Sequence, residues 1–372
     1  GITGSSGKTT SKELVAHMLS RFGKTCFSEG SFNNHIGVPF SLCRLDAEAP
    51  YAVFEMGMDH AGEISALVSL VSPNLAAVTN VFPMHMEYFK EFRDIARAKA
   101  EIFENVIPFN GRRIAVVNVD TNFADDVLIP DAKRHGIEEI ITFGKKGQIE
   151  LKDFSVTAAC RTEVEIAIEG KIYKHIDPGF GERFAYNAAF AAAIAYAMRI
   201  DIEAALNAIK DFMPPKGRGQ ISTLRTPKGF DITLIDDSYN GQPEAMRYAI
   251  KTLNEIPVKG ARRIAMLGAM TAIGADSEKE HRALGKVVAA SSADVVIGVG
   301  DDAKFVLEEL PDSKQKMYWD KDGDLYGKLM EILQARDILL IKGGHYSSRV
   351  FEVAEKLVSS SGANQQSDEK LP

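Results

Sequence analysis

The chain has 372 residues, of which 45% are hydrophobic and 26% charged, with a formal net charge of −7. That length suggests two or three domains with enough apolar material for true cores. The acidic balance argues against a general electrostatic grip on nucleic acid or an anionic membrane surface. Cys26, Cys43 and Cys160 are far apart and fit neither a disulfide framework nor a zinc pattern, and no run is long enough to span a membrane. These features fit a cytoplasmic protein.

The chain opens on "GITGSSGKTT", which leaves no room for a strand in front. Glycines let a backbone wrap closely around phosphate oxygens, and the N–H groups at a helix start point inward. Gly4, Ser5, Ser6 and Gly7 form the expected wrap, Lys8 the point charge, and Thr9 and Thr10 the hydroxyls at the helix start. The strict G-x-x-x-x-G-K-[ST] spacing is not met, because Ile2 stands where its first glycine falls. The bland alternative, a glycine-rich turn with an exposed lysine, is weakened by the amphipathic helix that "SKELVAHMLSRFG" predicts next.

Alternation of strand and helix follows. "YAVFE" is a short apolar run that places Glu55 at its carboxyl end, the edge where open α/β sheets bind ligands. "LAAVTNV" and "RIAVVNV" predict buried strands, the first leading into His85. Between them "FRDIARAKAEIFENV" has helical spacing and carries Lys99 on its apolar face, where a lysine ordinarily snorkels. "TEVEIAIEGKIYKH" predicts a hairpin turning at Glu169-Gly170, followed by helices over 184–198 and 201–212. "MPPKGRG" reads as a linker. A second series begins with a hairpin over "ISTLRTPKGFDITLID" and alternates helices with the strands "RIAML", "DVVIGV" and "DILLI". Asp237, Asn240 and Lys342 fall at its strand ends, although strand-to-helix turns and caps explain each of them equally well. The fold class is therefore α/β, with domains over 1–213 and 214–358 and a disordered polar tail over 359–372.

The stretches "TGSSGKTT", "EMGMDHAGEI", "TNVFPMHMEYF", "AKAEIF", "YNAAFAAAIA", "GRG", "IDDSYNGQPEAM" and "IKGG" run in the order found in the Mur ligase family, which the chain resembles from its first residue to about Val350. The resemblance implies a central P-loop ATPase domain with a mostly parallel sheet and a Rossmann-like α/β C-terminal domain. It also implies that an N-terminal UDP-binding domain and the first central strand are missing. The implied activity is ATP-dependent, Mg²⁺-requiring amide ligation in peptidoglycan synthesis. D-Ala-D-Ala would be added to a UDP-MurNAc-tripeptide through an acyl phosphate, by a monomer without nucleic-acid or membrane partners. Alternatives are a related ligase with another acceptor, as in folylpolyglutamate or polyglutamate extension, or a non-catalytic nucleotide-binding module.

Residue by residue, the resemblance implies that Lys8 and Thr9 hold phosphates and Mg²⁺. Glu55 and His85 would ligate metal, and Lys99 would join them once carbamoylated. Asn187 would lie near adenine, Arg218 would contact phosphate, Asp237 ribose, and Asn240 and Lys342 substrate. Lys8, Lys99 and Arg218 form the implied catalytic set. The chain departs from the family pattern at Arg183-Phe184 ahead of Asn187, and at Ala269 and Ala272, where acidic residues are common.

Overall fold

The computed structural model describes residues 1–257, 260–271 and 273–361. Ala272 and positions 362–372 of the expected tail lie outside the described residues. The chain divides into two compact units, Gly1–Pro214 and Pro215–Pro372.

In the first unit the elements are β1 (Ile2–Thr3), α1 (Lys8–Ser20), β2 (Thr25–Phe27), α2 (Gly37–Cys43), β3 (Tyr51–Val53), α3 (Glu63–Val71), β4 (Leu75–Val78), α4 (Phe92–Ala100), β5 (Ile114–Asn118) and α5 (Ile129–Arg134). They continue with β6 (Glu139–Gly144), β7 (Ile149–Val156), β8 (Thr162–Ile168), β9 (Lys171–Asp177), α6 (Glu182–Ala197) and α7 (Ile202–Ala208). One sheet has the order β1-β4-β5-β6-β7-β8-β9, and β2 pairs with β3 separately. Pairing is parallel from β1 through β7 and antiparallel from β7 to β9.

Alternation along the strands sends side chains to two cores. Ala77, Val116 and Ile141 meet α1 and α6, while Ala76, Val78, Ala115 and Val117 meet α3 and α4. Helix α6 is apolar nearly all round, as a helix buried on most of its surface must be. The hairpin forms as its sequence predicts, with Glu169 and Gly170 both at positive φ, the conformation a two-residue turn of this kind requires.

Three expectations change. A strand does precede the loop: Ile2 and Thr3 pair with Ala77 and Val78, and Ile2 also bridges to Glu55. Ile2 N–H donates to Phe54 O at 2.8 Å and Met56 N–H to Ile2 O at 2.9 Å, so two residues flanked on both sides suffice. Helix α7 stops at Ala208, and the chain tightens into 3₁₀-type turns up to Phe212. The last helix passes the expected 358 limit, because Phe351, Val353, Ala354 and Leu357 give it a buried face.

The second unit contains β10 (Gln220–Arg225), β11 (Asp231–Asp237), α8 (Pro243–Glu255), β12 (Arg263–Gly268), α9 (Ser277–Ala289), β13 (Val295–Val299) and α10 (Ala303–Glu308). It ends with β14 (Gln315–Trp319), α11 (Leu325–Ile332), β15 (Ile338–Lys342), α12 (His345–Ser348) and α13 (Val350–Ser360). Its sheet order is β10-β11-β15-β12-β13-β14, with only β10 antiparallel. The carboxyl end of β12 and the helix α12 approach so closely that a Cβ on Gly268 would lie 2.0 Å from Ser348 Oγ. Beside the amino ends of β12 and β15, the Arg262 guanidinium clamps buried Asp337 through Nε (3.1 Å) and a terminal nitrogen (2.7 Å).

Replacing one partner of this pair leaves the other charge without compensation in the interior. Arg262→Met should therefore destabilise the second unit by about 3 kcal/mol in chemical denaturation. A loss below about 1 kcal/mol would mean that the pair acts like a surface ion pair.

Candidate active site

The phosphate-loop candidate is fastened to the end of β4. Gly4 has φ +153°, and a Cβ there would sit 2.0 Å from Thr79 Oγ1. Ser5 N–H donates to Asn80 O at 2.9 Å, and Ser6 N–H to Asn80 Oδ1 at 2.8 Å. Asn80 Nδ2 returns a bond to Ser6 O at 2.9 Å, and the Ser5 hydroxyl bonds the Phe82 main chain. The amides of Ser5 and Ser6 are thus hydrogen-bonded within the protein, to the end of β4. They shape the loop, and Gly7, at φ +79°, turns the chain into α1. The groups aimed outward are the first-turn N–H groups of α1, which helix geometry leaves without intrahelical acceptors. Lys8, half-buried, donates to Gly4 O at 2.9 Å and so lies across the loop, while Thr9 and Thr10 are buried in the first turn.

Glu55 stands beside β1, one strand from β4, and is 1% exposed. Its Oε1 accepts from Asn33 Nδ2 at 2.6 Å, but its Oε2 is buried without a hydrogen-bond partner among the described residues. A carboxylate oxygen stripped of water and lacking a donor suits a cation. Among the described residues no three His, Cys, Asp or Glu side chains converge on one point. A metal here would therefore draw on hydroxyl and ligand oxygens as well, as Mg²⁺ commonly does.

His85 sits at φ +56° in the segment after β4, with Nδ1 3.5 Å from Asp59 Oδ1. Burial lowers its pKa, Asp59 opposes that shift, and the charges of Lys99 and Lys8 reinforce it. Lys99 is not a snorkelling lysine, because its residue is 2% exposed. Burial pushes its ammonium well below the ordinary lysine range, and the charge of Lys8 adds to the effect. Lys8, His85 and Lys99 are therefore electrostatic neighbours, and Asp59 is a counter-charge to both His85 and Lys99. Asn33, Asp59 and Asn80 were not singled out from the sequence. The signal available was, for Asp59 and Asn80, a place within the quoted motifs; Asn33 carried none.

Asn187 reaches α1, where its Oδ1 accepts from Ser11 Oγ at 3.4 Å, and its Nδ2 is buried without a partner. The remaining candidates belong to the second unit. Arg218 lies with its guanidinium 4.2 Å from the Tyr239 ring centroid. Asp237 and Lys342 form a buried ion pair at 2.9 Å, and Lys342 Nζ also donates to Asp237 O (3.1 Å) and Asn240 O (2.7 Å). The pair braces the turn that carries Asn240. Asn240, half-buried, stays on the rim, its Oδ1 accepting from Gln242 N–H at 3.1 Å.

Comparison with known proteins shows the family. Residues 2–195 match the Mur ligase middle domain, and residues 217–345 match the Mur ligase, glutamate ligase domain. The chain is 29% identical over 343 residues to the UDP-N-acetylmuramoyl-tripeptide–D-alanyl-D-alanine ligase of Rickettsia prowazekii, covering 92% of this chain and 74% of that protein. It is 33% identical over 309 residues to the enzyme of the same name from Escherichia coli, covering 82% of this chain and 65% of that protein. The crystal structure of MurF from Acinetobacter baumannii superposes with a TM-score of 0.82 at 28% identity, covering 96% of this chain and 75% of that one.

The clash at Gly4 gives a direct test of the loop. Gly4→Ala must displace the loop or Thr79, and should weaken binding of a non-hydrolysable ATP analogue by about tenfold or more in calorimetry. Unchanged affinity in the variant would show that the loop does not hold phosphate.

Proposed function

The chain belongs to the Mur ligase family, and from that premise we propose that it is an ATP-dependent amide ligase joining D-alanyl-D-alanine to a UDP-N-acetylmuramoyl-tripeptide. The observation that carries the reading is the buried Glu55 Oε2, without a hydrogen-bond partner among the described residues, just after β3 and bridged to the strand that feeds the loop. A passive nucleotide-binding module has no need to keep such an oxygen dry and unbonded.

In this reading the terminal carboxylate of the tripeptide attacks the γ-phosphorus of ATP. An oxygen–phosphorus bond forms, the bond to the β-phosphate oxygen breaks, and ADP leaves. The amine of D-alanyl-D-alanine then attacks the acyl carbon, phosphate departs, and the amine loses its proton. The start of α1 and Lys8 bind and orient the phosphates and stabilise charge as it moves between oxygens. Mg²⁺, when bound, neutralises phosphate charge, and Thr9, Glu55 and His85 are the residues assigned to hold it.

Lys99 supplies the remaining ligand after carbamoylation. Its lowered pKa keeps a nucleophilic amine available. The neutral Nζ amine adds to CO₂, forms an N–C bond and releases one proton, which leaves an anion near Lys8 where a protonated lysine would have been a cation. The charge conflict between Lys8 and Lys99 becomes an attraction.

Lys8→Ala should reduce substrate-dependent ADP release by about 10³-fold, and near-normal release would remove the loop from the chemistry. Lys99→Ala should lose activity that short-chain carboxylates partly restore. Full activity in Lys99→Arg, which cannot form a carbamate, would make the lysine structural.

A further inference from the structure

In the second unit, the loop after β12, residues 269–271, is held from two sides. On the β15 side, Gly344 N–H donates to Ala269 O at 3.1 Å and the Ser347 hydroxyl to the same oxygen at 3.0 Å. Thr271 N–H donates to Gly241 O at 3.4 Å, so this loop also touches the turn bearing Asn240. From the other side comes His281, in the second turn of α9 and 0% exposed. Its Nε2 accepts from Met270 N–H at 3.0 Å, and its Nδ1 lies 2.8 Å from Ser277 O.

A donor at one ring nitrogen and a carbonyl at the other fix the neutral tautomer with its proton on Nδ1. Ser277 is itself tied down, its hydroxyl donating to Asp302 Oδ2 at 2.7 Å. The imidazole is thus a rigid spacer between α9 and a single loop amide. The sheet ladder ends at Gly268, and α9 packs through Leu284 and Val288, so neither element needs this histidine to form.

We propose that His281 is a positioning residue for the amine substrate, setting the loop 269–271 against the Asn240 turn. The inference rests on the ligase reading above. On this rim the charges of Asp237 and Lys342 are engaged with each other, and the loops present short side chains and main chain. Half-buried Asn240 and Thr271, backed by buried Gly241 and Ala269, suit a small dipeptide with methyl side chains better than a polyanion. Displacing the loop by one hydrogen bond alters that surface without touching the phosphate loop of the first unit.

The test follows Met270 amide hydrogen exchange together with steady-state kinetics for His281→Leu and His281→Gln. In His281→Leu the Met270 amide should exchange about 100-fold faster, and KM for D-alanyl-D-alanine should rise about tenfold with KM for ATP unchanged. His281→Gln, whose Oε1 can accept the same N–H, should recover most of both. If His281→Leu does not fold, His281→Asn, whose amide is one methylene shorter, replaces it. Wild-type protection of Met270 in the variant, or an unchanged amine KM once that amide is freed, overturns the proposal. Wild-type turnover with D-alanyl-D-alanine is the control. Its absence overturns the ligase reading and this inference with it, whereas normal wild-type turnover beside an indifferent His281→Leu overturns this inference alone.

Discussion

The first unit is organised around the grip of Thr79 and Asn80 on the turn at Gly4–Gly7. A loop meant to wrap an anion cannot also satisfy itself, because its amides must point away from its own carbonyls. Here the end of β4 takes up the demand. Asn80 exchanges bonds with Ser6 through both ends of its side-chain amide, and Thr79 presses where any side chain at position 4 would lie. With the approach to the helix fixed in this way, α1 starts at a defined point, and its first turn faces the carboxyl rim where Glu55 and His85 stand.

Electrostatics on that rim follow from burial. Two lysines lie near each other, and one of them, Lys99, is almost wholly buried, with Asp59 among its counter-charges. Holding Lys99 as a cation there is costly, so the amine is driven toward its neutral form. Glu55 presents the complementary problem, a buried acceptor oxygen with no donor. A divalent cation on one side and a carbamate on the other would resolve both imbalances together.

Much of this was legible in the sequence because local rules govern it. The glycines and lysine of the loop, the apolar strands before Glu55 and His85, and the Glu169-Gly170 turn each announce themselves within a few residues. What was not legible depends on partners distant in the chain. Strand β1 is only two residues long and exists because β4 and the Phe54–Met56 segment pair with both of its edges. Nothing local to Ser5 and Ser6 shows that Asn80, far along the chain, holds their amides. Asp237 and Lys342 looked like rim contacts because strand ends usually are, and no local pattern reveals that they neutralise each other. The role of His281 was hidden for the same reason, since its partner Met270 lies beyond the turn preceding its helix.

The central claim is that Glu55 and the loop form one metal–nucleotide site. Mn²⁺, which takes the same oxygen ligands as Mg²⁺, gives a direct readout through the longitudinal relaxation of water protons. Wild-type protein mixed with Mn²⁺ and ATP should show a marked enhancement of relaxation over Mn²⁺–ATP alone. Glu55→Gln should lose most of that enhancement while still binding ATP in the absence of metal. Equal enhancement in the two proteins would contradict the account, because the buried carboxylate would then have no part in holding the ion.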